Sequence, residues 1–556
     1  MIDVLAWLST FLILGLSIYL IRSVIFIYRV TRARANNNLF KMPKVGAIMR
    51  STAGKVVSLH EQGIIADRCW DTGTVNRTSD QWTNEEYHPF ISIFVATHNE
   101  SLVIERLLKS FAALSYPTDR FEIIIVDDST DDTYQKIQTM LSELQNLKVI
   151  HRDNRAGWKG GALNVALDVM DKRASNVLVL DADNILLVDT LERFVSRFIE
   201  EQYSYKEKGV SVLAIQGFPI SKSNPESDND CGIKVKLGNW IAWAIDFRLS
   251  QRNMIEFAAK DLLNLPVQIT GSLFMIRADV IKSIKFSNDL CEDWDLTVDL
   301  YCSQPSSLLS STTDVISSDS NTGRICNHPS TNIFPDPVTI SLRPRITFDQ
   351  ELVSYCEVTT DLAAYFRQRM RVSEGHTRGL RRKIKHIAES KMLSLVDKVE
   401  LFLNGLQYAK FIFVLSIGII NMILVLMFLS GSYNNSQQLM NMFVISFLLQ
   451  AANLAIALAR ITWAAKICRS VRRYDIKDVV SLLALYVITM PAFVIGSLRG
   501  FFQDDGTFYR TRRNLPKKSK LRKPSVLSDS TKNSPSLQVH SASILLVDNY
   551  GGWGSS

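Results

Sequence analysis

Four stretches of the chain, residues 4–21, 411–430, 439–459 and 479–498, contain no Asp, Glu, Lys or Arg. A helix needs roughly 20 apolar residues to cross a hydrocarbon core, so each is a candidate span. Between residues 80 and 400 the pattern changes to short apolar runs separated by polar turns and amphipathic stretches. Phe90–Ala96, Phe121–Val126, Leu147–His151 and Val177–Leu180 read as buried strands. The stretches reaching Leu114, Thr133–Leu144 and Gly157–Met170 read as the helices between them. Strands alternating with helices predict an α/β domain with a doubly wound parallel sheet. Ligands of such sheets bind outside the carboxyl ends of the strands, where this sequence places its polar clusters. Residues 380–405 alternate basic and apolar positions at helical spacing, with Ile384, Ile387, Met392, Leu395, Val396, Val399, Phe402 and Leu403 on one face. That pattern suits a helix lying in the membrane interface; the alternative is an ordinary surface helix.

Composition narrows the class. Of 556 residues, 47% are hydrophobic and 21% charged, with mean hydropathy +0.06. That is too apolar for a disordered chain and too charged for a protein made mostly of spans. The seven cysteines are scattered and form no C-x-x-C, which excludes a disulfide scaffold or zinc module and fits a reducing compartment. The first apolar run has no basic residue before it and leads into Arg22, Arg29, Arg32 and Arg34, so a retained anchor is expected rather than a cleaved signal. The net charge of +8 comes from clusters after the first run and at Arg378–His386, Lys466–Lys477 and Arg499–Lys523. Basic clusters beside spans mark a cytoplasmic face, and no nucleic-acid partner is expected.

The candidate chemistry lies at strand ends. Asp181-Ala182-Asp183 closes the run Val177–Leu180, and two carboxylates there suit Mg2+ or Mn2+ bridging phosphate oxygens; a turn or cap would also use them. Asp127-Asp128 closes another strand, either to accept hydrogen bonds from a nucleoside or to cap the next helix. Arg155 to Asn164 offers glycines, helix-start amides and Lys159, which make a diphosphate cradle or a plain turn. Thr270-Gly271-Ser272, the acidic pair Glu292-Asp293, and Gln368-Arg369-Met370-Arg371 follow. Arginine matches a leaving diphosphate bidentately, although each cluster taken singly also fits a solvated face.

In order, Thr97-His98-Asn99-Glu100, Asp127-Asp128, Lys159-Gly160-Gly161, Asp181-Ala182-Asp183, Thr270-Gly271-Ser272, Glu292-Asp293 and Gln368-Arg369-Met370-Arg371 resemble the membrane-bound inverting family 2 glycosyltransferases, which include the cellulose, mannan and hyaluronan synthases. The run Tyr116–Ile123 and the acidic stretch Asp127–Thr133 are similar to the glucomannan synthase-like branch, and Phe508–Arg513 is similar to its F-x-R-T-P-K motif, with Arg512 at the proline position. The resemblance covers about residues 90–380. It implies a GT-A type doubly wound sheet domain attached to a small α-helical transmembrane region. It also implies that Thr97, Glu100, Asp128, Lys159, Asp181, Gln368, Arg369 and Arg371 hold the nucleotide-sugar. Asp181 and Asp183 would act through Mg2+ or Mn2+, and Asp293 would be the catalytic base. Val372 stands where the family's Q-(Q/R)-x-R-W motif has tryptophan, which puts stacking on a growing glycan in question; Trp294 is the nearest alternative ring.

The expected organisation is an anchor (1–30), a linker (31–87), a GT-A domain (88–378) with an insertion (303–345), an interfacial helix (379–408), transmembrane helices (409–500) and a basic, mostly disordered tail (501–556). The expected activity is inverting transfer from a UDP- or GDP-sugar to a glycan at the membrane. Single-sugar transfer to a lipid such as a polyprenyl phosphate, and an inactive membrane scaffold, are the alternatives. The expected location is a multi-pass protein of the cell membrane with its catalytic domain in the cytoplasm. Under the positive-inside rule a full fourth span would put Arg499–Lys523 outside, so either 479–498, with Pro491 at its middle, is re-entrant or interfacial, or the number of crossings differs elsewhere; a cytoplasmic tail is expected.

Overall fold

The computed structural model describes residues 2–35, 88–206, 209–221, 233–303, 343–430, 436–470 and 474–504. Most of the linker, the insertion and the tail, with the Phe508–Arg513 motif, lies outside the described residues. After helix α1 (Ile2–Ala35) come β1 (Ile91–Thr97), α2 (Ile104–Ala112), β2 (Phe121–Asp127), α3 (Thr133–Thr139), β3 (Leu147–His151), α4 (Trp158–Asp168) and β4 (Asn176–Asp181). Strands β5 (Ile185–Leu186), β6 (Val210–Ser221), β7 (Phe274–Arg277) and β8 (Arg343–Cys356) complete one sheet ordered β3-β2-β1-β4-β7-β6-β8-β5. The β3-β2-β1-β4 half is parallel, as the alternating pattern predicts. The other half is mixed, because β7 runs antiparallel to both β4 and β6 while β8 is parallel to β6. The expected doubly wound α/β sheet is therefore present, with an antiparallel insertion that the sequence pattern did not reveal.

Every residue of β2 is buried, the mark of a parallel strand covered on both faces. Alternation in β1 divides its side chains. Ile91, Ile93 and Val95 pack with Leu107, Phe111 and, from α5 (Thr190–Lys206), Phe194. Phe94 packs on the other face with Ala162 and Leu163 of α4. This second cluster also takes in Phe26, Ile27 and Val30 of α1, so the sheet domain and the first apolar helix share one core.

Helix α6 (Ile233–Gln251) passes through a π-helical turn at Arg252–Phe257 into α7 (Ala258–Leu262); α8 (Ala278–Ile284) and α9 (Glu292–Cys302) follow. Beyond β8 the 28-residue helix α10 (Leu362–Glu389) carries the arginine motif and runs on through the basic stretch; α11 (Leu395–Gly405) starts on a Ser394–Asp397 capping box. The periodic segment 380–405 is thus two helices with a break at 390–394, which the N-cap serine and the turn before it impose. Helices α12 (Lys410–Leu429), α13 (Ser436–Ile467) and α14 (Ile476–Phe502), with α1, are each long and apolar enough to cross a membrane.

Helix α14 differs from the other three in its neighbours. Leu485 clusters with Ile241 of α6 and Tyr365 of α10. Further along, a β-carbon at Gly496 would come within 2.3 Å of the Met370 carbonyl, and one at Gly500 within 2.5 Å of the Glu374 carbonyl. Small residues thus let α14 lie directly on the helix that bears the arginine motif.

Candidate active site

All ten residues singled out from the sequence line one cavity of about 1010 Å³: Thr97, Glu100, Asp128, Lys159, Asp181, Asp183, Asp293, Gln368, Arg369 and Arg371. The first six stand at the carboxyl ends of β1, β2 and β4 or at the start of α4. Asp293 is in the first turn of α9, and the last three are on α10.

The two acids ending β2 do different work. Asp127 is fully buried and accepts hydrogen bonds from the Thr97 and Ser129 hydroxyls (2.6 and 2.5 Å) and from His151 Nδ1 (2.8 Å). It fixes the strand ends. Asp128 reaches the cavity and is held by Arg152, whose Nε and Nη2 donate to its two oxygens at 2.7 and 2.6 Å. Asn99, at φ +57°, accepts from the Thr130 and Asp131 amides and so ties the β1 and β2 loops together. Arg152, directly after β3, was not singled out from the sequence. The strand-end rule that found Asp128 and Asp181 would have found it.

The glycines before and in α4 serve packing. Gly157 takes φ +71°, and a β-carbon at Gly160 would lie 1.8 Å from the Ser287 carbonyl oxygen. This close approach sets α4 against the segment leading to Glu292 and aims Lys159 inward. Its ammonium donates to Asp181 Oδ1 (2.5 Å) and the Gly271 carbonyl (2.6 Å), with Glu292 Oε1 at 3.6 Å. These neighbours raise its pKa against the opposing effect of burial. Behind them, Gln216 accepts from the Thr270 amide and donates to the Ser272 carbonyl. Ser272 Oγ accepts from the Asp181 amide (2.9 Å) and Asn184 Nδ2 (2.8 Å), so the Thr270–Ser272 turn braces the acidic strand end. Asp183 accepts from the Glu357 amide at 3.3 Å.

Asp293, in the first turn of α9, accepts a hydrogen bond from the Trp294 amide at 2.8 Å. Burial, then the neighbouring Glu292 carboxylate, push its pKa up to about 7, into the range where a carboxylate takes a proton near neutrality. Trp294 does not supply a ring to the cavity: it is fully buried and stacked on His376, with centroids 5.3 Å apart. Its position in the α9–α10 interface overrides the sequence suggestion. Farther along α10, Arg378 is buried against Glu374 and Asp289 and donates to the Gln503 carbonyl; it fastens three segments together.

Residues 92–205 match the family model described as Glycosyl transferase family 2. A beta-monoglucosyldiacylglycerol synthase of Nostoc sp. is 39% identical over 116 residues, 20% of this chain and 24% of that protein. The probable glycosyltransferase YdaM of Bacillus subtilis is 35% identical over 234 residues, 41% of this chain and 50% of that protein. Glucomannan 4-beta-mannosyltransferase 9 of Arabidopsis thaliana is 34% identical over 102 residues, 17% of this chain and 19% of that protein. The chain thus spans between about a fifth and a half of these relatives. Segment 92–205, with β1 to β4 and the Asp181-Ala182-Asp183 strand end, is a family 2 glycosyltransferase domain.

Proposed function

We propose that this chain is an inverting glycosyltransferase that moves a sugar from a UDP- or GDP-sugar to an acceptor hydroxyl at the membrane. The observation that carries this reading is the single cavity joining Asp128, Lys159 and Asp181 to Asp293 and continuing among α1, α12, α13 and α14. In the proposed mechanism, Thr97, Glu100 and Asp128 hold the nucleoside, with Lys159 and Gln368 near its diphosphate. Asp293 takes the proton of the acceptor hydroxyl as that oxygen attacks the anomeric carbon. The bond from that carbon to the diphosphate breaks on the opposite face, and Arg371 stabilises the departing charge while Arg369 lies on the acceptor side.

Asp181 and Asp183 are hard oxygen donors, and no third His, Cys, Asp or Glu gathers with them among the described residues. Such a pair would hold Mg2+ or Mn2+, hard cations that take oxygen ligands. When bound, the ion would neutralise the leaving diphosphate.

Val372 at the motif's tryptophan position and the burial of Trp294 favour transfer of one sugar to a lipid over extension of a glycan. The Nostoc relative, named for a glucosylated diacylglycerol, points the same way. Leu395, Val396, Val399 and Phe402 of α11 are exposed, which supports an interfacial helix. The contacts of α14 with α6 and α10 support an interfacial course there too, so that α1, α12 and α13 cross and the basic tail stays on the catalytic side. Epitope tags after Asn434 and after Ser528 should then be accessible from opposite faces of sealed vesicles.

The deciding experiment is a screen of UDP- and GDP-sugars with Mn2+ and Mg2+ on membranes containing the full chain, followed by product analysis. A single-sugar lipid supports the lipid acceptor, and a polymer supports the glycan acceptor. No turnover of any donor, unchanged by Asp293→Asn, would leave the inactive scaffold.

A further inference from the structure

The cavity is divided electrically. Most of its acids, including Asp128, Asp181, Asp183 and Asp293, stand at the strand ends and the start of α9, while at its far end, among the apolar helices, cations outnumber the single lining acid Glu256. Part of that positive charge is balanced. Arg22 and Lys260 share Glu256 and Glu400, at N–O separations of 2.5 to 3.4 Å. Five more cations line the cavity with no carboxylate in ion-pair range among the described residues: Arg248, Arg252, Arg369, Lys410 and Arg460.

These five have only weak partners. Arg248 donates to the Tyr365 and Tyr408 hydroxyls at 3.5 and 3.4 Å. Arg252, Arg369 and Lys410 lie over the rings of Phe257, Tyr365 and Tyr19 at 5.5, 5.0 and 5.2 Å. The Nε atoms of Arg252, Arg369 and Arg460 are buried without a hydrogen bond. Burial, then the nearby Arg248, pull the Arg252 guanidinium down to about 10. Unpaired buried charge is expensive, and an ionisable residue within an apolar helix, as Arg460 is, marks a functional site by default. Five such groups converging on one space imply an anion that the described residues do not supply.

Two features identify the anion. The wall beside the cations is apolar, formed by Phe411, Val414, Leu454 and Ala457 of helices α12 and α13, which suits acyl chains. The donor diphosphate already has Lys159, Arg371 and the Asp181–Asp183 ion site in the proposed mechanism. An acceptor attacking through a phosphate oxygen would be ionised already at neutral pH and would leave Asp293 without a proton to take.

We propose that Arg248, Arg252, Arg369, Lys410 and Arg460 bind the phosphate of a membrane phospholipid whose headgroup bears a free hydroxyl, and present that hydroxyl to Asp293 as the acceptor. The proposal rests on the transfer reading above. The hydroxyl oxygen bonds to the anomeric carbon, its proton passes to Asp293, and the nucleoside diphosphate leaves with the electron pair of the broken bond.

The test uses the full chain in vesicles of phosphatidylcholine alone, or with phosphatidylglycerol, or with diacylglycerol, supplied with labelled nucleotide-sugar. Sugar is expected in the lipid extract only with phosphatidylglycerol. Arg252→Gln and Arg460→Gln should each raise the apparent KM for that lipid by about tenfold or more, with the KM for the donor unchanged. A second readout separates binding from scaffolding. Removing one of several mutually repelling cations should leave the melting temperature of the lipid-free protein equal or higher, and should abolish the rise that dioleoylphosphatidylglycerol gives the wild type. Equal transfer to diacylglycerol, a raised donor KM in both variants, or a lowered melting temperature with the lipid response intact overturns the proposal. Donor hydrolysis or polymer formation with no sugar in any lipid overturns it while leaving glycosyl transfer standing. If no donor is turned over, the transfer reading itself has failed.

Discussion

Asp293→Asn tests the proposed chemistry most directly, because it removes the base while keeping the size of the side chain and its hydrogen bond from the Trp294 amide. A positioned general base contributes about a hundredfold to ten-thousandfold, roughly 3–5 kcal/mol of barrier. The expected result is a loss of that size in kcat with donor affinity retained. The wild type adds a pH signature. With the carboxyl raised to about 7, activity should fall about tenfold per unit as pH drops below that value, and this acidic limb should vanish in the variant. Stability should change in the opposite sense. The ordinary value is 3.8, so the folded state holds this proton more tightly than the unfolded chain does. The cost of ionising Asp293 in the fold is absent below about pH 4, grows to about pH 7 and is constant above. Asp293→Asn should therefore gain melting temperature relative to the wild type as pH rises over that window. The assays are nucleoside diphosphate release from pH 5 to 9 and thermal unfolding over the same range. A variant that keeps more than about a tenth of wild-type kcat, or an unchanged acidic limb, would refute the assignment.

Three further predictions use other parts of the site. Arg152→Ala leaves the buried Asp128 carboxylate without its bidentate partner, so we expect a loss of about 3–5 kcal/mol by denaturant unfolding and a raised donor KM; Arg152→Lys should recover only part of either. Gly160→Ala drives a β-carbon into the Ser287 carbonyl, 1.8 Å away, and should cost at least about 1–3 kcal/mol, whereas Gly418→Ala, inside α12 with nothing within 4 Å, should cost nothing or stabilise by up to about 1 kcal/mol in the same measurement. Stripping divalent ions with EDTA should abolish turnover until Mn2+ or Mg2+ is restored, and Asp183→Asn should raise the Mn2+ concentration needed for half-maximal rate; an EDTA-resistant rate would contradict the proposed ion site.

Legibility from sequence followed the range of each interaction. The four strands of the parallel half were readable because burial on both faces makes them continuous apolar runs, and the strand-end rule then located Thr97, Asp128 and Asp181 without any coordinates. Strands β6 to β8 were not readable. Their pairing depends on partners far away in the chain, as when Val210 of β6 pairs with Arg343 of β8. The same limit explains Arg152, whose importance lies in the carboxylate it meets, and Trp294, whose ring the sequence placed beside Asp293 while packing turned it onto His376.

By itself the sequence determined the apolar helices, the α/β domain between them and the ordered set of polar motifs, since hydropathy period and strand-end chemistry are local properties of the chain. Only the tertiary structure decided that all ten motif residues face one cavity, that α14 lies on the arginine-bearing helix, and that five cations from α6, the π turn, α10, α12 and α13 meet with no carboxylate in ion-pair range among the described residues. Most of those side chains lie far apart in the chain, Arg248 and Arg460 by 212 positions. Coulomb energy depends on their distance in space, which no local pattern records.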